Sequence, residues 1–112
     1  MTYEQMRKMA LGMAGVEEGT SYGTAALKVR GNLMARLKED GETLVLATTF
    51  EEREGLIAEE GETYFITDHY LNYPWVLVRL KKVKPEALRE LLKRAWALAK
   101  DKKRGSTKSG RR

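Results

Sequence analysis

The sequence predicts an α+β fold, with an antiparallel sheet of about five strands, helices packed on one face, and the order α-β-β-β-α-β-β-α. Three observations carry this expectation. Residues 25–47 alternate apolar and polar side chains with period two, interrupted at two turn signals. Residues 75–80 form a short apolar run rich in β-branched side chains, the pattern of a strand buried over most of its length. Three further segments repeat apolar residues at helical spacing and begin with capping or proline signals.

The elements follow in order. Thr2 is an N-cap candidate with Gln5 three residues on, and Tyr3, Met6, Ala10 and Met13 share one face of a first helix that Gly12 and Gly15 end. Val16 to Gly23 reads as a loop. A three-stranded meander is then predicted from Ala25 to Ala47. In it a loop of Arg30, Gly31 and Asn32 pairs Val29 with Leu33, and a two-residue turn at Asp40-Gly41 pairs Leu37 with Leu44. That register places Ala25, Leu27, Val29, Leu33, Ala35, Leu37, Leu44 and Leu46 on a core side. The other side, carrying Lys28, Arg30, Met34, Arg36, Lys38, Thr43 and Val45, is expected to be a basic outer face.

Phe50 to Glu60 is predicted as a short helix capped by Thr48 or Thr49. Glu51, Glu52 and Glu54 lie toward the positive end of its dipole, and Phe50, Leu56 and Ile57 face the core. Two strands come next, Tyr64 to Thr67 and Trp75 to Leu80, the second central to the sheet, with Pro74 at its entrance. The bridge between them concentrates His69, Tyr70, Tyr73, Pro74 and Trp75. Pro85 opens the last helix, whose apolar stripe is Leu88, Leu91, Leu92, Ala95, Leu98 and Ala99, with Trp96 at its edge.

Length and charge bound the organisation. With 112 residues the chain makes one domain, assigned to residues 1–99, followed by a basic tail at 100–112 that is too polar to order itself. The net charge of +5 resides in that tail, which holds seven Lys and Arg against one Asp; residues 1–99 carry fourteen basic and fifteen acidic groups, a net of −1. The tail reads equally as an arm for nucleic acid, a solubilising extension or an appended sequence. The absence of cysteine excludes a disulfide framework and thiol catalysis. Glu4, Arg7 and Lys8 interrupt any leader pattern, and no apolar run approaches the roughly 20 residues of a membrane span, so a cytoplasmic protein is expected. One histidine and no cysteine argue against a metal site, and Gly19, Gly23 and Gly31 form no phosphate-binding pattern, so no cofactor is expected.

Gly15-Val16-Glu17-Glu18 before Ser21-Tyr22-Gly23, then Leu27-Lys28-Val29-Arg30-Gly31-Asn32-Leu33, and Thr67-Asp68-His69-Tyr70 before Tyr73-Pro74-Trp75-Val76-Leu77-Val78, form an ordered set that resembles the MmcQ/YjbR family over residues 3–99. The resemblance implies a compact α+β fold and a small bacterial DNA-binding protein with a "double wing" of hairpins. Where many members have proline after the Tyr-Gly-Thr loop this chain has Ala25, which implies a less stiff loop.

Two sets of site residues follow. On the DNA reading, Lys28, Arg30, Arg36 and Lys38 on one wing neutralise phosphates, with Arg79, Lys81 and Lys82 on a second; the same charges also suit the solvated face and edges of an antiparallel sheet. His69, Tyr70, Tyr73 and Trp75 either stack on bases or line a small-molecule pocket, or else pack over the open end of the core. The alternative to DNA binding is a protein-interaction or self-associating module. Enzymatic activity is not expected, because no spacing places Asp68, Ser21 or another partner beside His69.

Overall fold

In the computed structural model, which describes residues 1–102, the chain folds as a six-stranded antiparallel sheet with three helices. The strands are β1 Val16–Ser21, β2 Thr24–Val29, β3 Asn32–Leu37, β4 Thr43–Ala47, β5 Tyr64–Phe65 and β6 Trp75–Arg79, in the spatial order β1-β2-β3-β4-β6-β5. The helices are α1 Tyr3–Leu11, α2 Phe50–Glu59 and α3 Pro85–Asp101, and a single 3₁₀ turn spans Asp68–Tyr70. The α+β expectation holds, with one more strand.

That strand is β1, which the sequence pattern presents as a loop. It lacks apolar alternation because it is an edge strand whose side chains are mostly exposed. Its order comes from the ladder to β2 and from the Tyr22-Gly23 turn, where both residues take positive φ of 55° and 80°.

The meander keeps its outer register and shifts near one turn. Arg30 and Gly31, at φ 55° and 81°, make a two-residue turn, so Val29 pairs with Asn32 rather than Leu33. A bulge then adds Met34 to β3, and Leu27 pairs with Ala35 as expected. The bulge exchanges two side chains: Met34 enters the core, and Leu33 turns to the outer face. At the second turn Leu37 pairs with Leu44 as expected, although the loop has four residues, closed by Lys38 N–H donating to the Thr43 carbonyl at 2.8 Å. Asp40 organises it by accepting from the amides of Glu42 at 2.8 Å and Thr43 at 2.9 Å and from the Thr43 hydroxyl at 2.7 Å.

All three helices lie over one sheet face. Leu27, Met34, Leu44, Leu46, Val76 and Val78 meet Met6, Leu88, Leu92 and Ala95 there in a single core; each fully buried aliphatic side chain contributes roughly 2 kcal/mol of transfer free energy. Helix α1 has the expected capping box between Thr2 and Gln5. On α3 the expected stripe holds except for Leu98, which is 38% exposed, while Trp96 covers the edge and donates its indole N–H to the Ala14 carbonyl at 2.8 Å. On α2 the expected core residue Phe50 is exposed, Leu56 and Ile57 are partly buried, and the buried side chain is Arg53.

Helix α3 continues past residue 99 into the stretch expected to be a disordered tail, as far as Asp101. Asn32 Nδ2 donates to the carbonyls of Ala99 at 2.9 Å and Lys102 at 3.0 Å, and Arg30 Nη1 donates to that of Lys100 at 3.3 Å. The β2–β3 turn thus satisfies carbonyls that the end of the helix leaves open. The rest of the tail expectation, residues 103–112, lies outside the described residues.

The basic outer face is the expectation that changes most. Its centre is apolar: Val45, Leu77 and Tyr70 form a second buried cluster, with Phe65 and Trp75 packed against it. The strands β4 and β6 are interior to the sheet, and the segment between β5 and β6 folds back across them.

Hydrogen bonds from the Glu42 amide, and then from Thr43, hold the Asp40 carboxyl below the ordinary aspartate range. Its contribution is therefore present above that range, near pH 3.9 in an unfolded chain, and fades as pH falls through the lower folded value. Asp40→Ala is expected to cost about 1 kcal/mol at neutral pH, with the difference from wild type shrinking in acid. Urea unfolding of both proteins across pH checks this.

Candidate binding site: an aromatic concavity on the outer sheet face

The strand registers align Gly19, Ala26, Arg36, Val45, Leu77 and Phe65 in one row across all six strands of the outer face. Arg36 sits at the middle of this row and is only 6% exposed. A guanidinium at such depth requires partners. Nη2 donates to the Tyr70 hydroxyl at 3.0 Å, and Nη1 donates to the Thr24 hydroxyl at 3.1 Å and, at 3.4 Å, to the Leu37 carbonyl. Its one carboxylate neighbour among the described residues is Glu39, 3.7 Å from Nη1 and largely in solvent. The Tyr22 ring lies over the guanidinium, with its centroid 5.1 Å from Cζ.

Around Arg36 opens a concavity of about 270 Å³ lined by Tyr22, Leu33, Val45, His69, Tyr70, Tyr73 and Trp75. Tyr22, on the tip of the β1–β2 turn, is 82% exposed and Tyr73 is 56% exposed, so both present ring surface to solvent. A second hollow shares Tyr22, Arg36, His69 and Tyr70 and runs on to Lys38, Glu39 and Thr67. A third shares Leu33 and Trp75 and reaches Pro74, Leu98 and Ala99. Together they form a trough whose centre is aromatic.

One wall of the trough is the segment from Asp68 to Trp75, and a side chain from α2 fixes it. Arg53 Nη1 lies 3.0, 2.7 and 3.1 Å from the carbonyls of Tyr70, Tyr73 and Trp75, and Nη2 lies 3.0 Å from that of Leu71. Three carbonyls of the turn and that of Trp75 at the start of β6 are gathered on one buried cation. Phe50 packs on the guanidinium at 4.9 Å. Where the segment meets β4, the Thr48 amide donates to the Pro74 carbonyl at 3.0 Å.

The structure brings His69, Tyr70, Tyr73 and Trp75 together as one wall, in differing roles. Tyr70 is buried and bonded to Arg36, Trp75 is half-buried, and His69 and Tyr73 stand at the rim, His69 edge-on to Tyr70 at 4.7 Å. Among the described residues no hydrogen bond joins His69 to Asp68 or Ser21, and no cluster of His, Cys, Asp and Glu has the makings of a metal site.

The residues expected to contact nucleic acid do not form one surface. Arg36 is buried, Arg30 serves the end of α3, and Lys38 lies 3.9 Å from Glu39. Arg79 stacks on Phe65 at 4.0 Å and donates to the Glu62 carbonyl, and Lys81 pairs with Glu42 at 3.0 Å. Asp40 and Glu42 share a shallow hollow with Arg79, Lys81 and Lys82, so the second basic cluster is of mixed sign. Lys28 and Lys82 have no ion pair among the described residues. The site residues that escape the sequence reading are Arg53, Tyr22, Leu33 and Val45; the one signal for Arg53 is a lone cation inside the acidic run Glu51 to Glu54.

An antiparallel sheet with helices on one face and an aromatic concavity on the other defines a small α+β domain. The chain belongs to the YjbR family, whose model matches residues 11–98. Over 43 residues it is 46% identical to Uncharacterized protein Rv2570 of Mycobacterium tuberculosis and to Uncharacterized protein Mb2600 of Mycobacterium bovis, a match covering 38% of this chain. The chain aligns with about a third, 33%, of the length of these curated relatives. The crystal structure of the Deinococcus radiodurans protein DR2400, with a DUF419 domain, superposes with a TM-score of 0.78 at 24% identity, covering 90% of this chain and 80% of that one. That likeness is one of fold.

Lysine cannot reproduce the fork of Arg53 across four carbonyls. Arg53→Lys is expected to destabilise the protein by roughly 3 kcal/mol and to speed amide exchange from Tyr70 to Trp75 more than in α3. Denaturant unfolding and residue-resolved hydrogen exchange check both effects.

Proposed function

We propose that the protein is a binding module, not an enzyme, and that it recognises a planar, unsaturated group by stacking in the aromatic concavity. The observation that carries this reading is the convergence of Tyr22, His69, Tyr73 and Trp75 over a floor of Arg36 and Tyr70. Rings that stand partly free of the core, on a wall immobilised by Arg53, lose little freedom when they bind. A volume near 270 Å³ lies just under the range of small-ligand sites, about 300 Å³ and upward, and suits one or two rings.

The DNA reading taken from the family resemblance remains as a second proposal, and the half-buried Lys28 and exposed Lys82, which have no ion pair among the described residues, support it. Against it stand the net charge of −1 over residues 1–99 and the engagement of Arg30, Arg36, Arg79 and Lys81 within the fold.

With Trp96 replaced by Phe, Trp75 is the remaining tryptophan and reports on the concavity. Neutral adenosine is expected to quench its emission saturably, and Tyr73→Ala to weaken binding by about threefold to tenfold, the worth of one stacked ring. No saturable quenching, or quenching indifferent to Tyr73, contradicts the proposal. In a parallel anisotropy titration with a labelled duplex, a chain ending at Lys102 is expected to show no salt-sensitive binding. Binding that Lys28→Ala and Lys82→Ala abolish would favour the DNA reading instead.

A further inference from the structure

Arg36 and Arg53 are both buried arginines, but they are satisfied differently. Arg53 has four carbonyls within hydrogen-bond distance, three of them sharing the two N–H groups of Nη1, and does not line the concavity. Arg36 makes three hydrogen bonds, two of them to hydroxyls, which accept less strongly than carboxylates. A guanidinium has five N–H donors, so two remain without a protein acceptor among the described residues. The floor of the concavity is therefore a nearly buried cation with spare donors, compensated by one solvent-exposed carboxylate 3.7 Å away. Such a charge is poorly solvated and incompletely paired, and an anion entering the hollow relieves both conditions.

Resting on the stacking reading above, we infer that the ligand is a planar aromatic molecule bearing an anionic group, with the ring against Tyr73, Trp75 and Tyr22 and the anion on Arg36. The geometry sets the distance between the two parts. Tyr22 and Tyr70 flank the guanidinium, while Tyr73 and Trp75 line the same 270 Å³ hollow, so anion and ring must be directly joined or separated by a short linker. A carboxylate on a ring and a phosphate on a nucleoside share this chemistry.

The experiment is calorimetric titration of the full chain with two matched pairs, benzoate against benzamide and adenylate against adenosine. A charge-assisted hydrogen bond at a buried guanidinium predicts that at least one anion binds about tenfold or more tightly than its neutral partner. The pair showing the difference tells carboxylate from phosphate. Arg36→Gln is expected to erase the difference, and Lys38→Ala to preserve it. Because Arg36 also supports Tyr70, Arg36→Lys is measured beside it, and the wild-type ratio tests the inference without any variant. Equal binding of anion and neutral partner overturns the anion site and leaves the stacking proposal standing. A difference that Lys38→Ala removes and Arg36→Gln keeps also overturns it. Failure of all four compounds to bind overturns both.

Discussion

The arrangement of the outer face depends on one buried guanidinium that belongs to no strand. Arg53 projects from α2 and binds the carbonyls of Tyr70, Leu71, Tyr73 and Trp75, all in a segment with two short turns and little ladder pairing of its own. Without that cation four carbonyls lose a charged donor, and although those of Tyr70 and Tyr73 still accept from the Tyr73 and Trp75 amides, each carbonyl left unsatisfied costs about 1–3 kcal/mol when desolvated. With it, Tyr70 is pressed onto Val45 and Leu77, and Tyr73 and Trp75 are set at fixed positions around Arg36. The second apolar cluster, the hollow and the ring geometry all follow from that attachment.

A second constraint is the bulge at Met34, which lets β3 serve both faces. One extra residue sends Met34 into the helix-covered core and turns Leu33 outward to line the concavity, while Arg36 remains opposite Val45 in the central row. The two-residue turn at Arg30-Gly31 follows at once and brings Asn32 and Arg30 to the end of α3. The β2–β3 hairpin thereby acts as a helix cap at one end, through Asn32 and the exposed Arg30, and as the floor of the concavity further along, through the buried Arg36.

Much of the fold was legible because period-two alternation and helix caps are local signals. The Thr2–Gln5 box, the pairing of Leu37 with Leu44 and the stripe from Leu88 to Ala99 all follow from neighbouring residues. Strand β1 was not legible, since an exposed edge strand such as Val16–Ser21 has no apolar side to announce it. The bulge was hidden because Leu33 and Met34 are both apolar and either one can fill the core position. At the site, the clustering of His69, Tyr70, Tyr73 and Trp75 was visible in sequence, but their joining to Arg36 and Tyr22 depends on how the segment folds back over the sheet. The same fold-back makes Arg36 a floor residue instead of a surface cation, and no spacing within β3 reveals that.

The central claim is that the working surface is the aromatic concavity and not the scattered lysines. Its most direct test is amide and side-chain chemical-shift mapping of the full chain, titrated separately with adenylate and with a short DNA duplex. The account predicts saturable shifts from adenylate confined to Tyr22, Leu33, Arg36, His69, Tyr73 and Trp75. Shifts that appear only with duplex and fall on Lys28, Lys81 and Lys82, leaving the aromatic residues unmoved, would contradict it.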